Sequence, residues 1–446
     1  MRLTILGGGG FRVPLVYRAL LADHARGRVT DVTLHDLDPG RLAAIGRVLQ
    51  AQARGVPDAP RVTATTDLDL ALAGAGFVFS AIRVHGLEGR VIDERVALEE
   101  GVLGQETVGA GGISYGLRTV PTATAIARRV AAVAPDAWVI NFTNPAGLVT
   151  EAMAEHLGDR VIGICDSPVG LGRRVARALG VDPGAVRLDY AGLNHLGWLS
   201  GVHLDGRDLL PGLLADDTAL GSFEEGQLFG TAWLRALGSV PNEYLHYYYS
   251  NRETVAAARD AAQTRGAFLL EQQRRCYDLL AAADRDALST WDSVRRERDD
   301  TYMAENRRAA GVAAHDGPDP DQGGYEHVAL ALMRAIAHDE RATLILNVRN
   351  RGTIPALDDA AVVEVPCTVD ASGAHPQAAG PLPGHATGLV VAVKASERAV
   401  LHAAASGSRR SALRAMATHP LVDSVAVAGR LLDTYRRHFP ELAYLT

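Results

Sequence analysis

Residues 2–21, RLTILGGGGFRVPLVYRALL, run an apolar strand into four consecutive glycines and out into a segment of helical spacing. Glycine adopts strained turn conformations freely and lets another backbone or a ligand come close. A strand, a glycine turn and a helix in immediate succession open a parallel α/β sheet, and the helix N-terminus behind the glycines is a natural seat for a phosphate. The second strand, VTDVTLHDLD, ends in acids. Asp36 at its tip is placed to accept hydrogen bonds from an adenosine ribose and to repel a 2′-phosphate. Gly7, Gly8, Gly9 and Gly10 with Asp36 thus read as a dinucleotide site that favours NAD over NADP. The match to G-x-G-x-x-G is incomplete, because counting from Gly7 the third glycine position holds Arg12. The plainer alternative is a tight turn of the kind any α/β protein contains.

The alternation continues. PGRLAAIGRVLQAQARG reads as a helix, FVFSAIR as a buried strand, TATAIARRVAAVA as a helix, and AWVINFTNP and RVIGICDSP as strands. Buried strands alternating with amphipathic helices predict a Rossmann-like, doubly wound parallel sheet over residues 1–168. Ligands in such sheets bind at the strand C-terminal ends, where Gly7–Gly10, Asp36, Arg83, Asn144 and Cys165 fall. From about residue 169 to 446 the pattern is mixed, and a second α+β domain is expected. Its helices include AAARDAAQTRGAFLLEQQRRCYDLLAAA and EHVALALMRAIAHD, its strands RLDYAGL, ATLILNVRN and GLVVAVKA. The polar, then Gly/Pro/Asp-rich run RRERDDTYMAENRRAAGVAAHDGPDPDQGG reads as an exposed loop.

Composition excludes several functions. A net charge of −7 over 446 residues offers no broad basic surface for nucleic acid, and no apolar run reaches membrane-spanning length. Three widely spaced cysteines, Cys165, Cys276 and Cys367, suit free thiols in a reducing cytoplasm. Of the 45 lysines and arginines only Lys394 is lysine. A Walker-type phosphate lysine or a Schiff base is therefore nearly excluded, and anions must be held by arginine, backbone N–H groups or a helix N-terminus.

Cys165 in GICDSP and His195 in YAGLNHLGW each have an ordinary reading, as a small buried hydrophobe and a satisfied polar residue. As a pair they can give a catalytic metal two ligands and leave positions open for substrate oxygens. Asn144 precedes Pro145, which keeps it out of the helical region; its amide can bind a sugar hydroxyl or cap a turn. Asp166 is expected as the N-cap of a helix entered at Pro168.

Taken in order, LTILGGGG, IRVHGLEGRVIDER, GVLGQETVGAGGISYGLRTVP, INFTNPAGLVTEA, GICDSP, YAGLNHLGW, NEYLHYYYS, GGYEHVALALMRAI and LNVRNRG resemble glycoside hydrolase family four, the NAD-dependent 6-phospho-β- and 6-phospho-α-glucosidases. The likeness covers nearly the whole chain, and the family is an exception to two-carboxylate glycoside hydrolysis. It implies dinucleotide contacts at Gly7, Gly8, Gly9, Gly10, Phe11, Asp36 and Arg83. It implies metal ligands at Cys165 and His195, with Mn²⁺ the usual ion, although a thiolate alone would suit zinc or iron better. Tyr244 matches the catalytic base, and Arg90, Asn144 and Arg265 match substrate contacts. The implied chemistry borrows hydride from C3 of the sugar, so that the C2 proton becomes acidic, the glycosidic oxygen leaves by elimination, and water and hydride return. Family members are commonly dimers or tetramers. Asp166 matches the residue proposed as general acid in α-specific relatives, while the neighbouring blocks look more like the β branch. The expectation is a 6-phospho-β-glucosidase. The alternatives are the α-specific enzyme, a glycosidase of unphosphorylated sugars, a plain NAD-dependent 2-hydroxy acid dehydrogenase and a non-catalytic NAD sensor.

Overall fold

The computed structural model describes residues 1–282, 286–301, 307, 310–311, 324–378 and 380–446. Strands β1 (Arg2–Leu6), β2 (Asp31–His35), β3 (Arg61–Thr65), β4 (Phe77–Ser80), β5 (Trp138–Asn141) and β6 (Val161–Gly163) pair in parallel in the order β3-β2-β1-β4-β5-β6. That is the strand order of dinucleotide-binding sheets, and it reverses between β1 and β4. Except in the exposed edge strand β3, side chains alternate between two buried faces, as period two requires. Leu3, Ile5, Phe77 and Phe79 pack with the helices Val13–Leu21, Pro39–Gln52 and Tyr325–His338. Leu6, Val78 and Val139 face the helices Gly109–Val133 and Ala146–Leu157 instead. Each fully buried Leu or Ile contributes about 1.5–3 kcal/mol, so the central strands are the most firmly held part of the site's foundation.

The sheet does not stop near residue 168. Strands β7 (Arg187–Leu193), β8 (Leu196–Leu204), β9 (Arg207–Asp208), β10 (Val240–Pro241), β11 (Ala342–Arg349), β12 (Val362–Asp370) and β13 (Gly373–Pro376) extend it with antiparallel pairs. The order runs on as β6-β11-β12-β7-β8-β10, with β9 on β8 and β13 on β12, giving 13 strands among the described residues. The C-terminal helices Gly384–Ser406, Arg409–Thr418 and Val425–His438 return to the first half and share a core with Gly109–Val133. Among the described residues no helix is long and apolar enough to cross a membrane.

Several local expectations change. GLVVAVKA is not a strand but lies inside the helix Gly384–Ser406. Its buried positions Ala386, Val390, Val393, Ser396, Val400 and Ala403 have helical spacing, visible only in a window longer than the apolar run. The helix expected near TATAIARRVAAVA begins earlier, at Gly109. Gly111 and Gly112 do not break it, because a Cβ at either would lie 2.2 Å from the Gln105 carbonyl or 2.4 Å from that of Thr107. They are there for close approach. The long helix from residue 256 is two, Asn251–Asp260 and Arg265–Ala281, the second capped by the Thr264 hydroxyl on the Ala267 N–H. The polar run from Arg295 is not loop throughout: residues 295–300 complete the helix Ala287–Asp300, aided by Arg295–Asp299 at 2.6 Å. Most of the remainder of that run lies outside the described residues.

Candidate active site

The glycine turn sits where the strand order reverses. Gly7 has φ +79°, and a Cβ there would lie 2.5 Å from the Ala81 carbonyl at the end of β4. Gly8 and Gly9 pack as closely, their absent Cβ atoms 2.7 Å from Leu34 and Arg41. The N–H groups of Gly8, Gly9 and Gly10 are already engaged, by the His35 carbonyl at 2.7 Å, the Asp36 carboxylate at 3.0 Å and the Gly7 carbonyl at 2.9 Å. The glycines therefore serve close packing first, and Asp36 braces the turn as well as marking the tip of β2. The Phe11 N–H meets no acceptor among the described residues.

Beside this turn opens a cavity of about 950 Å³. It is lined by Gly7, Gly10, Phe11, Asp36, Arg83, Arg90, Asn144, Cys165, Asp166, His195, Tyr244 and Arg265, so every expected site residue except Gly8 and Gly9 meets there. The volume is at the upper end for small-molecule sites, enough for more than one ligand moiety.

One wall is made of Cys165, His195 and Tyr244. Cys165 lies two residues beyond β6. His195 occupies the two-residue turn between β7 and β8, where it is held at φ +62°. A side chain in that left-handed conformation stores strain, which a functional requirement can maintain. Its Nδ1 is 3.0 Å from the Thr107 hydroxyl, which is in turn 3.0 Å from the Gln105 side-chain carbonyl. If the hydroxyl donates to Gln105, it accepts from Nδ1–H, and Nε2 is left as a bare lone pair. Burial pulls the His195 pKa down to about 3, with the Glu106 charge opposing, so the ring is neutral at pH 7. The Tyr244 ring stacks on it, centroids 3.6 Å apart and planes 2° from parallel. Burial, followed by the Glu243 charge, pushes the Tyr244 phenol well above its ordinary range. Burial, then Glu364 and Asp166, does the same to the Cys165 thiol.

A neutral imidazole with a free nitrogen, a buried thiol and phenol, and the buried Oδ1 of Asn144, without a partner among the described residues, fit a divalent cation. No third His, Cys, Asp or Glu joins Cys165 and His195 among the described residues, which leaves room for substrate oxygens in the coordination sphere. Asp166 holds the N-cap position of Ser167–Ala178 but does not cap it: its backbone is helical and its carboxylate makes no capping bond. That carboxylate instead lies 3.7 Å from the Arg12 guanidinium. The incomplete fingerprint thus puts an arginine beside Asp166 in the same cavity.

A cationic cluster lines the same cavity and was less legible. Glu106 bridges Arg83 at 2.7 Å and Arg90 at 2.6 Å, and Arg90 also pairs with Glu94 at 2.7 Å. Burial raises the Glu106 pKa, but the charges of Arg83 and Arg90 prevail and hold it at about 2. Arg265 donates to the Thr301 hydroxyl at 2.6 Å and to the Arg298 carbonyl at 3.0 Å. Arg298 points into the same cavity and pairs with no carboxylate among the described residues. Burial, then the charges of Arg12, Arg265 and Arg90, brings its pKa down to about 9. A guanidinium under that pressure is a ready anion site. Neither Glu106 nor Arg298 was singled out from sequence, although GQETVGAGG and the arginine-rich run from Arg295 contain them.

A doubly wound sheet with a glycine turn at its reversal point and a large cavity beside it has the architecture of dinucleotide-binding α/β proteins. The sequence profile described as "Family 4 glycosyl hydrolase" matches residues 2–181, and that described as "Family 4 glycosyl hydrolase C-terminal domain" matches residues 190–422. A "Probable 6-phospho-beta-glucosidase" of Bacillus subtilis (strain 168) is 32% identical over 445 residues, covering 97% of this chain and 95% of its own. The 6-phospho-beta glucosidase of Thermotoga maritima, solved with manganese, NAD+ and glucose-6-phosphate, superposes with a TM-score of 0.82 at 26% identity over 99% of both chains. A 6-phospho-alpha-glucosidase from gut microorganisms, solved with NAD and Mn2+, gives a TM-score of 0.81 at 25% identity, covering 98% of this chain and 97% of its own. The chain belongs to glycosyl hydrolase family 4 and is a glycosidase.

Proposed function

We propose that the enzyme hydrolyses 6-phospho-β-glucosides, using NAD and a divalent cation, manganese in the first instance. The observation that carries this reading is one cavity lined by the glycine turn, by Cys165, His195 and Tyr244, and by Arg90, Arg265 and Arg298. When bound, the dinucleotide supplies a reversible hydride acceptor and the cation supplies Lewis acidity toward neighbouring sugar oxygens. Cys165 and His195 would hold the cation. Phe11 at the turn, with Gly7, Gly8, Gly9, Gly10, Asp36 and Arg83, would hold the dinucleotide. Tyr244 takes the C2 proton on its phenol oxygen, and its stack on His195 fixes the ring for that transfer. Burial keeps the Tyr244 phenol protonated; a bound cation beside it would lower its pKa toward the phenolate, the form that accepts the C2 proton.

Arg90, Asn144, Arg265 and Arg298 bind the phosphorylated sugar. The arginines supply the charge that a lysine-poor chain cannot supply otherwise. Asp166 faces the same cavity and is assigned to the departing glycosidic oxygen. The β-anomer is preferred on the strength of the 32% identical relative. A division of labour between residues 1–168, for the dinucleotide, and 169–446, for metal, substrate and assembly, follows from the family resemblance. So does action in the cytoplasm as a homodimer or homotetramer; three buried free thiols are compatible with a reducing compartment. The test is a panel of p-nitrophenyl glucosides offered with NAD⁺, Mn²⁺ and a reductant: β and α anomers, each with and without the 6-phosphate. The reading expects nitrophenol from the 6-phospho-β form above all others. Equal turnover of unphosphorylated glucosides would refute the substrate, and preference for the 6-phospho-α form would refute the anomer.

A further inference from the structure

The glycine turn is gripped from behind by side chains that lie more than 260 residues away in the chain. The Tyr277 hydroxyl donates to the Gly9 carbonyl at 2.6 Å, and the Trp291 indole N–H donates to the Phe11 carbonyl at 2.8 Å. A third aromatic, Tyr325, donates to the Arg12 carbonyl at 3.0 Å. Tyr277 and Trp291 sit on the helices Arg265–Ala281 and Ala287–Asp300, and neither lines the cavity. Trp291 is fully buried and packs 6.0 Å from the Phe11 ring.

The peptide unit is planar and trans, so its C=O and N–H point in opposite directions. With the Phe11 carbonyl drawn back to Trp291, the Arg12 N–H of the same peptide is turned forward, toward the cavity that Phe11 and Arg12 line. The Gly10 carbonyl is drawn into the helix by the Val13 N–H at 3.1 Å, which leaves the Phe11 N–H facing the other way. A carbonyl oxygen turned forward here would repel a phosphate; an N–H attracts it. The Gly9 carbonyl, held by Tyr277, is kept out of the way in the same manner.

We propose that Tyr277 and Trp291 are positioning residues for the dinucleotide: Trp291 turns the Arg12 N–H toward the diphosphate, and Tyr277 holds the Gly9 carbonyl away from it. This rests on the NAD reading above. The proposal concerns the diphosphate specifically, so it separates phosphorylated from unphosphorylated ligands. Titration calorimetry on the full-length protein compares wild type, Tyr277→Phe and Trp291→Phe, with NAD⁺, ADP and adenosine as probes. Each variant keeps an aromatic ring and loses one donor. Loss of one such bond should weaken NAD⁺ and ADP roughly five-fold. Adenosine, which lacks the diphosphate, should bind each variant as it binds wild type.

Unchanged ADP affinity in a folded variant overturns the proposal. An equal loss for adenosine overturns it too, since that is the mark of general loosening. If wild type itself binds no NAD⁺, the cofactor reading fails and takes this one with it, an outcome distinguishable because it precedes any substitution. If Trp291→Phe does not fold, Tyr277→Phe, half-buried at the helix surface, decides alone.

Discussion

Arg298→Met makes a prediction with two opposite signs. The guanidinium sits among Arg12, Arg265 and Arg90, and its pKa is brought from 12.5 down to about 9 by burial and by those charges. A shift of that size corresponds to a folded-state penalty of about 5 kcal/mol as an upper bound, since water reaching the cavity screens part of it. The penalty is present at pH 7, where the group is charged in folded and unfolded chains alike. Methionine keeps most of the aliphatic stem and removes the charge, with the guanidinium that lies 6.0 Å over the Phe11 ring. Without ligand the variant should therefore be more stable by about 1–3 kcal/mol after screening, a rise in melting temperature of a few degrees.

With ligand the sign reverses. A charge-assisted bond to a phosphate is worth about 1.5–3 kcal/mol, so KM for the 6-phospho-β-glucoside should rise roughly 10- to 150-fold. KM for any unphosphorylated glucoside that turns over should stay put. Differential scanning calorimetry of the ligand-free protein and steady-state kinetics on the phosphorylated and unphosphorylated pair read the two effects. A lower melting temperature, or an unchanged KM for the phosphorylated sugar, would refute the assignment of this cation cluster to the phosphate.

Other substitutions probe the remaining parts. Tyr244→Phe should lower kcat by about 10²–10⁴ and abolish solvent-deuterium exchange at C2, followed by NMR, while NAD⁺ affinity by calorimetry is retained. Gly7→Ala places a methyl 2.5 Å from the Ala81 carbonyl at φ +79°. The left-handed conformation alone costs about 1–2 kcal/mol, so NAD⁺ should bind at least ten-fold more weakly and the melting temperature should fall. Glu106→Gln leaves Arg83 and Arg90 without their shared counter-charge and should cost about 3–5 kcal/mol at pH 7, measured by urea unfolding. The Glu106 contribution in wild type is fully present above the ordinary carboxylate pKa of 4.5 and is lost as pH falls through about 2. Stability of the Gln variant should accordingly depend less on pH across that window.

Much of the fold was readable because β1, β2, β4, β5 and β6 are short, mostly apolar and separated by helices of clear period, and Gly7 to Gly10 mark the reversal point; β3, RVTAT at the sheet edge, is too polar and exposed to carry that signal. What was not readable has physical causes. GLVVAVKA is as apolar as a strand, and only its longer helical context identifies it. Glycines at 111 and 112 look like breakers in isolation, yet they allow a helix to lie against the Gln105–Thr107 backbone. Cys165, His195 and Tyr244 could be named from the family resemblance but not from spacing, since their meeting depends on β6, the β7–β8 turn and residues 243–245 converging across the sheet. Arg298 and Glu106 were hidden for a different reason. Among 45 basic residues nothing in the sequence distinguishes a half-buried arginine that has no carboxylate partner among the described residues from a solvated one. The aromatic grip of Tyr277 and Trp291 on the glycine turn spans more than 260 residues, and no local pattern reports it.

The central claim is that glycoside cleavage requires a dinucleotide that is returned unchanged. The most direct measurement strips the purified enzyme of nucleotide and follows nitrophenol from p-nitrophenyl-β-glucoside 6-phosphate together with absorbance at the NADH band. The account predicts no turnover without NAD⁺, full recovery on adding NAD⁺ at the enzyme's own concentration, and no NADH build-up. Undiminished cleavage by the stripped enzyme, or one NADH released per bond broken, would contradict it.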